Sequence, residues 1–204
     1  MTQNKRKERY NRIHKKFEEN FKNHELKTIL VQPDAHLAVF EWRNKNGSNV
    51  YAVKYIFYKN QLFISGDIGE AVFNLTWDAS LKNILSAEFN GKNFDYLVEK
   101  LTAFSGKKYD FDSEIAKADL IYYAGADISI NKIKKYLNIA NDMCNYSSWE
   151  SVFYENEYEI EEIFGTDAYD WFFECGKVIH SRIIGMLTGL EIIYKKTKEE
   201  SKNV

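Results

Sequence analysis

Apolar residues along the chain change their period twice. Over residues 3–25 they recur as Tyr10, Ile13, Phe17 and Phe21, spaced 3, 4 and 4, which places them on one face of a helix. Near residue 28 the period falls to two. His36 to Arg43 sets Leu37 and Val39 against Ala38, Phe40 and Trp42, the alternation of a strand. Val50 to Tyr58, Gln61 to Ser65 and Ala71 to Trp77 predict further strands, and Thr28 to Gln32 predicts one ahead of them. Asn44 to Asn49, Lys59-Asn60 and Gly66 to Glu70 carry the turn chemistry between them. Such short connections join antiparallel neighbours, so a meander of four to five strands is expected over about residues 28–77.

From Ser80 the spacing is helical again. Leu81, Ile84, Leu85 and Phe89 share a face, and so do Phe94, Leu97, Val98, Leu101 and Phe104. Ile115 to Tyr123, Ile130 to Met143 and Trp149 to Phe164 predict three more helices. A last one is expected over about Tyr169–Lys196, because Phe172, Cys175, Ile179, Ile183, Met186, Leu190 and Ile193 form one stripe. Strands first and helices afterwards predict an α+β fold: an antiparallel meander with an N-terminal helix and an all-helical C-terminal half packed on it. The expected organisation is a basic helix at 1–27 and one domain at 28–204, its sheet at about 28–77 and its helical part at about 80–196.

Composition changes this picture little. Of the 204 residues 45% are hydrophobic, enough to bury a sizeable core. Ile183 to Leu190 is an uncharged run of eight, against the roughly 20 residues a membrane span needs. The polar, basic start carries no apolar signal region, so a cytoplasmic protein without a membrane partner is expected. Cys144 and Cys175 then read as free, buried thiols.

Charge changes it more. Residues 1–27 carry net +5, residues 28–135 net 0, residues 136–176 net −10 without one Lys or Arg, and residues 177–204 net +3. Within the acidic stretch, Glu155, Glu157, Glu159, Glu161, Glu162, Asp167 and Asp170 alternate with aromatic residues, Tyr158 among them. Glu155 with Glu159, and Glu157 with Glu161, sit at i and i+4, where like charges destabilise a helix by ~0.2–0.5 kcal/mol per pair. A single-sign field suits a basic partner, so these eight residues are the candidate partner-binding surface. The bland reading is a solvated face balanced by the basic termini. The alternative interface is the N-terminal helix, whose Arg6, Arg9, Arg12, Lys15 and Lys16 could contact nucleic-acid phosphates, although Glu8, Glu18, Glu19 and Glu25 dilute its charge.

Catalytic and cofactor motifs are weak. Gly66-Asp67-Ile68-Gly69-Glu70 precedes a strand, not the helix that phosphate loops require, and reads as a turn. Asp110, Asp112 and Glu114 lack the rest of a calcium loop; Asp112 or Ser113 caps the next helix instead. His14, His24, His36 and His180 form no zinc spacing with each other or with the cysteines. No cofactor, metal or catalytic residue is expected; a metal-assisted hydrolase using Asp67, Glu70, Asp110 and Asp112 is the enzymatic alternative. Gly185 and Gly189 allow a close helix approach, either within the chain or across a homodimer.

The run Tyr51 to Trp77, centred on Phe63-Ile64-Ser65-Gly66-Asp67-Ile68-Gly69-Glu70-Ala71-Val72-Phe73, resembles small proteins carried by phages and mobile elements of low-GC bacteria. Leu101-Thr102-Ala103-Phe104-Ser105-Gly106, continuing to Asp112, adds to the resemblance. It implies a counter-defence inhibitor, anti-CRISPR-like, that binds a bacterial defence nuclease or its ribonucleoprotein complex in the host cytoplasm. It supplies no site residues.

Overall fold

The computed structural model describes residues 2–80, 83, 92–125 and 128–200. In chain order the elements are α1 (Thr2–Phe21), β1 (His24–Gln32), β2 (Leu37–Asn44), β3 (Val53–Tyr58), β4 (Gln61–Gly66), β5 (Ala71–Asn74), α2 (Lys92–Glu99), β6 (Leu101–Phe104) and β7 (Tyr109–Phe111), followed by α3 (Ser113–Ala124), α4 (Ile130–Asp142), α5 (Tyr146–Phe164), α6 (Ala168–Phe172), β8 (Lys177–Ile179) and α7 (Ser181–Glu200). They fall into two compact units. A sheet unit takes Arg12–Lys107 and Ser181–Val204; a helical unit takes Met1–Asn11 and Lys108–His180.

The sheet unit holds a six-stranded sheet in the order β1-β2-β3-β4-β5-β6, antiparallel throughout. The fold is therefore the α+β meander that the sequence predicts, with one more strand. That strand is β6. Leu101 and Phe104 are not the end of a helix, because α2 stops at Glu99 and the chain pairs with β5. A 3-residue apolar spacing suits a helix face, and here a bulge sets Leu101 opposite Phe73 and Phe104 opposite Ala71, so that the strand against the open edge of β5 accommodates the same spacing. The helix expected over Leu81–Phe89 lies outside the described residues, Asn83 apart.

Alternation gives the sheet two different faces. Trp42, Val53, Tyr55, Phe57, Leu62, Ile64 and Phe73 point to one face and are buried. Phe17 and Phe21 of α1 and Ile183, Met186, Leu187, Leu190 and Ile193 of α7 are buried with them. The glycines of α7 make this packing close. A Cβ at Gly185 would stand 2.4 Å from the Phe17 ring, and one at Gly189 would stand 2.2 Å from the Tyr55 hydroxyl. Both glycines thus serve packing inside this unit, not the homodimer seam. The Tyr55 hydroxyl donates to the Met186 carbonyl at 2.9 Å. Lys196 lies 4.6 Å over the Trp42 ring and donates to the His24 carbonyl. His24 itself is buried against Phe21 and Trp42, and burial holds its imidazole below the usual range.

In the helical unit a two-stranded ribbon, β7 with β8, contradicts the expectation of helices alone after residue 77. The last helix correspondingly starts at Ser181 and not near Tyr169. Phe172 ends α6, Gly176 turns the chain at φ +70, and Ile179 lies in β8. A side chain at Gly176 would also stand 2.6 Å from the Ala116 Cβ, so glycine is needed there for space and for backbone sign. The apolar stripe ran through this break because a three-residue strand cannot display its period. Cys175 is buried as expected, but Cys144 is exposed.

Three measurements test this packing. Ile183→Ala and Leu190→Ala should each lower unfolding free energy by ~2–5 kcal/mol in denaturant titrations, since both side chains are fully enclosed. Gly189→Ala should destabilise by about 1–3 kcal/mol through overpacking, although alanine is intrinsically the better helix former. Adding Tyr55→Phe should recover part of that loss, because it removes the atom the new methyl strikes. The third concerns His14, whose imidazole is held above its ordinary value by a 2.8 Å hydrogen bond to Glu191 and the charges of Glu191 and Glu18. A folded value above the unfolded one adds stability that is complete below about pH 6.5 and disappears as pH rises through the folded value. His14→Ala should therefore lower the melting temperature more at about pH 6 than at about pH 9.

Candidate functional site

The acidic candidates sit in the helical unit on α5, the turn after it, and α6. Asn145 starts α5: its side-chain oxygen accepts from the Ser148 amide at 2.9 Å. The first turns bury Trp149, Val152 and Phe153. Trp149 stacks on Phe172 at 4.8 Å and 7°, and its indole N–H donates to the Phe172 carbonyl. Leu120, Tyr136, Ala140 and Ile160 complete this aromatic core.

At Asn156 the helix kinks, with φ −130 and ψ 20. The Asn156 amide donates to the Val152 carbonyl at 2.9 Å, and its oxygen accepts from Lys135 of α4 at 2.8 Å. The same ammonium pairs with Glu159. Glu155 and Glu159 are therefore not a regular i, i+4 pair: the kink separates them and a lysine from outside the acidic stretch neutralises one. Sequence spacing could not reveal this, because Lys135 belongs to another helix.

Beyond the kink Ile160 is buried and the helix is regular to Phe164. At about 100° per residue, Tyr158 and Glu162 fall opposite Ile160, Ile163 and Phe164, Glu161 falls to one side, and Glu157 sits at the edge of the apolar arc one turn before Ile160. Glu155, Glu157, Glu162, Asp167 and Asp170 are exposed, and Glu159 and Glu161 are half-buried. Among the described residues no ion pair engages Glu155, Glu157, Glu161, Glu162, Asp167 or Asp170. Tyr158 is 84% exposed, Tyr154 65% and Tyr169 53%. Counting Lys and Arg against Asp and Glu, the helical unit has 10 basic and 16 acidic residues, net −6, and the sheet unit 18 and 14, net +4.

The basic helix fares differently along its length. Arg6 donates to Asp119 at 2.6 Å and to the carbonyls of Glu174 and Lys177. Asp119 is buried and also accepts from the Gly176 amide at 3.0 Å; burial pushes its carboxyl up, against the pull of that amide and of Arg6. Arg9 donates to the Ile179 carbonyl and pairs with Asp112 and Asp110. Both arginines hold the helical unit together. Arg12, Lys15 and Lys16, in the sheet unit, are exposed, with Glu18 and Glu19 exposed beside them.

Of the enzymatic alternative, Asp67, Asp110 and Asp112 engage structural partners through their carboxylates, and Glu70 through its backbone amide. Asp67 accepts from the Tyr51 amide at 2.8 Å, and the Glu70 amide donates to Ser105. Asp112 caps α3 by accepting from the Ile115 amide at 3.1 Å, and Asp110 faces Arg9 and His180. Among the described residues no three His, Cys, Asp or Glu side chains converge to hold a metal ion, and no helix is long and apolar enough to cross a membrane.

Comparison with protein-family models, with curated proteins and with solved structures returned no match for this chain.

Proposed function

We propose that this chain acts by stoichiometric binding: a phage-type counter-defence inhibitor whose acidic tyrosine face occupies a basic groove of a bacterial defence nuclease in place of nucleic acid. The supporting observation is the run of carboxylates on α5, the following turn and α6 of which, among the described residues, only Glu159 carries an ion pair, interleaved with exposed Tyr154, Tyr158 and Tyr169. Carboxylates supply the charge pattern a phosphate-binding groove selects. Tyrosine rings supply faces on which lysine and arginine side chains stack, worth ~0.5–1 kcal/mol each at exposed sites. A field of one sign speeds encounter with such a groove by roughly 10 to 1,000-fold at low salt. Binding through Arg12, Lys15 and Lys16 is the weaker alternative, since Arg6 and Arg9 of the same helix are engaged in ion pairs.

The test uses guide-loaded defence nucleases with purified full-length chain. Wild type should block DNA cleavage near one-to-one stoichiometry, and added target duplex should compete with it. Glu157→Lys, Glu161→Lys and Glu162→Lys combined should slow association at least tenfold while the melting temperature holds or rises. Raising salt should weaken wild-type binding in the same direction, as the Debye length falls from ~10 Å at 0.1 M to ~3 Å at 1 M. A folded triple variant that associates at the wild-type rate overturns the role of this face. Inhibition that DNA does not relieve overturns the surrogate mechanism.

A further inference from the structure

The sheet unit carries a second unusual surface. β1 is an outermost strand of the six-stranded sheet, and no described strand covers its free side. Natural edge strands are usually protected by charge, proline or brevity. Here strand β1 runs nine residues, with Glu25 and Lys27 in its first half and Pro33 just past its end. Thr28-Ile29-Leu30-Val31-Gln32 between them carries no charge. Ile29, Leu30 and Val31 are 48%, 37% and 52% exposed. A register shift between Thr28 and Leu30 leaves Ile29 without a partner on β2.

Leu30 also ends an apolar row that crosses the whole sheet. Leu30 is paired with Val39, Val39 with Ile56, Ile56 with Phe63, Phe63 with Val72 and Val72 with Ala103. Directly opposed residues share a face, and this is the face turned away from Tyr55. The rows on either side are polar or mixed: Lys27, Glu41, Lys54 and Ser65 on one, and Gln32, Leu37, Tyr58, Gln61 and Asn74 on the other.

We infer that β1 pairs antiparallel with β1 of a second copy of this chain, with the two-fold axis at Leu30. The five-residue segment reads the same from both ends, polar at its limits and apolar within, and a two-fold interface demands that self-complementarity. Pairing centred on Leu30 sets Leu30 against itself and Ile29 against Val31, and the bulge at Ile29 ends the regular ladder before Thr28 and Gln32. No charge enters the ladder, and Pro33, which has no N–H, lies beyond its end. A register centred on Thr28 instead opposes Lys27 to Ile29 and Glu25 to Val31. One centred on Gln32 opposes Pro33 to Val31. The chosen register also joins the two apolar rows end to end on one face of a continuous sheet. A foreign strand would need none of this palindromic pattern.

Sedimentation velocity over a dilution series of the full chain, with exposed Cys144 replaced by serine, reads the association. Wild type should dimerise with concentration. Leu30→Lys places two charges together on the axis and should leave a monomer with the melting temperature of wild type diluted to the monomer. Val72→Lys lies on the same row four strands away and should still dimerise. A cysteine scan fixes the register independently. Residues opposed across the axis sit with Cα atoms about 4.5–5.5 Å apart, inside the range a disulfide spans. Leu30→Cys should therefore cross-link to its copy rapidly under oxidised glutathione. Thr28→Cys, with its copy about 13 Å away, should not. A chain that stays monomeric up to its solubility limit overturns the proposal. So does a dimer that survives Leu30→Lys, one dissolved by Val72→Lys, or equal cross-linking at both positions.

Discussion

The Tyr55 ring is fully enclosed at the centre of the covered sheet face, and its hydroxyl is spent on the carbonyl of Met186. That bond is possible only because α7 approaches the sheet with glycine at 189, where a methyl would overlap the phenol oxygen. Gly185 admits the Phe17 ring in the same way one turn earlier. A backbone brought this close fixes where α7 lies along the sheet, and with it which residues of α1 and α7 are enclosed. Interiors at crystal-like density leave little room for another arrangement.

The second face of the sheet carries its own pattern. Because strand side chains alternate, burying Trp42, Tyr55, Phe57, Leu62 and Phe73 turns Val39, Ile56, Phe63 and Val72 to the opposite side in one row. The meander order adds a second consequence. Each strand but the outer two has both ladders filled, so β1 is left with open backbone groups along its uncharged half. The apolar row and the open edge therefore have the same origin.

The helical unit follows a different rule. Its centre is aromatic, with Trp149 and Phe172 stacked and Phe153, Tyr136 and Phe164 around them. Arg6 and Arg9 tie the start of α1 to the β7–β8 ribbon and to the cap of α3 through carbonyls and carboxylates. Once inner positions of α5 are filled by large apolar groups, its acids are left at exposed and half-buried positions. Single-sign charge on that surface is tolerable because exposed carboxylates stay hydrated and are screened by salt.

Periodicity in the sequence determined most of the meander, the amphipathic α1, and helices α3, α4 and α5, because each presents at least two turns or several alternations of one pattern. The acidic stretch was equally legible, since its lack of any lysine or arginine is a property of order alone. Short elements were not. β6 and β8 have four and three residues, too few to show a period, and only the open edge of β5 and the facing β7 decided that they are strands. Nor could spacing show that Arg6 would be consumed by Asp119, 113 residues away, or that Lys135 would clamp the kink at Asn156 and take Glu159 out of the acidic field. Those pairings depend on which surfaces meet after the chain has folded, and charge partners chosen by tertiary contact leave no mark in local sequence.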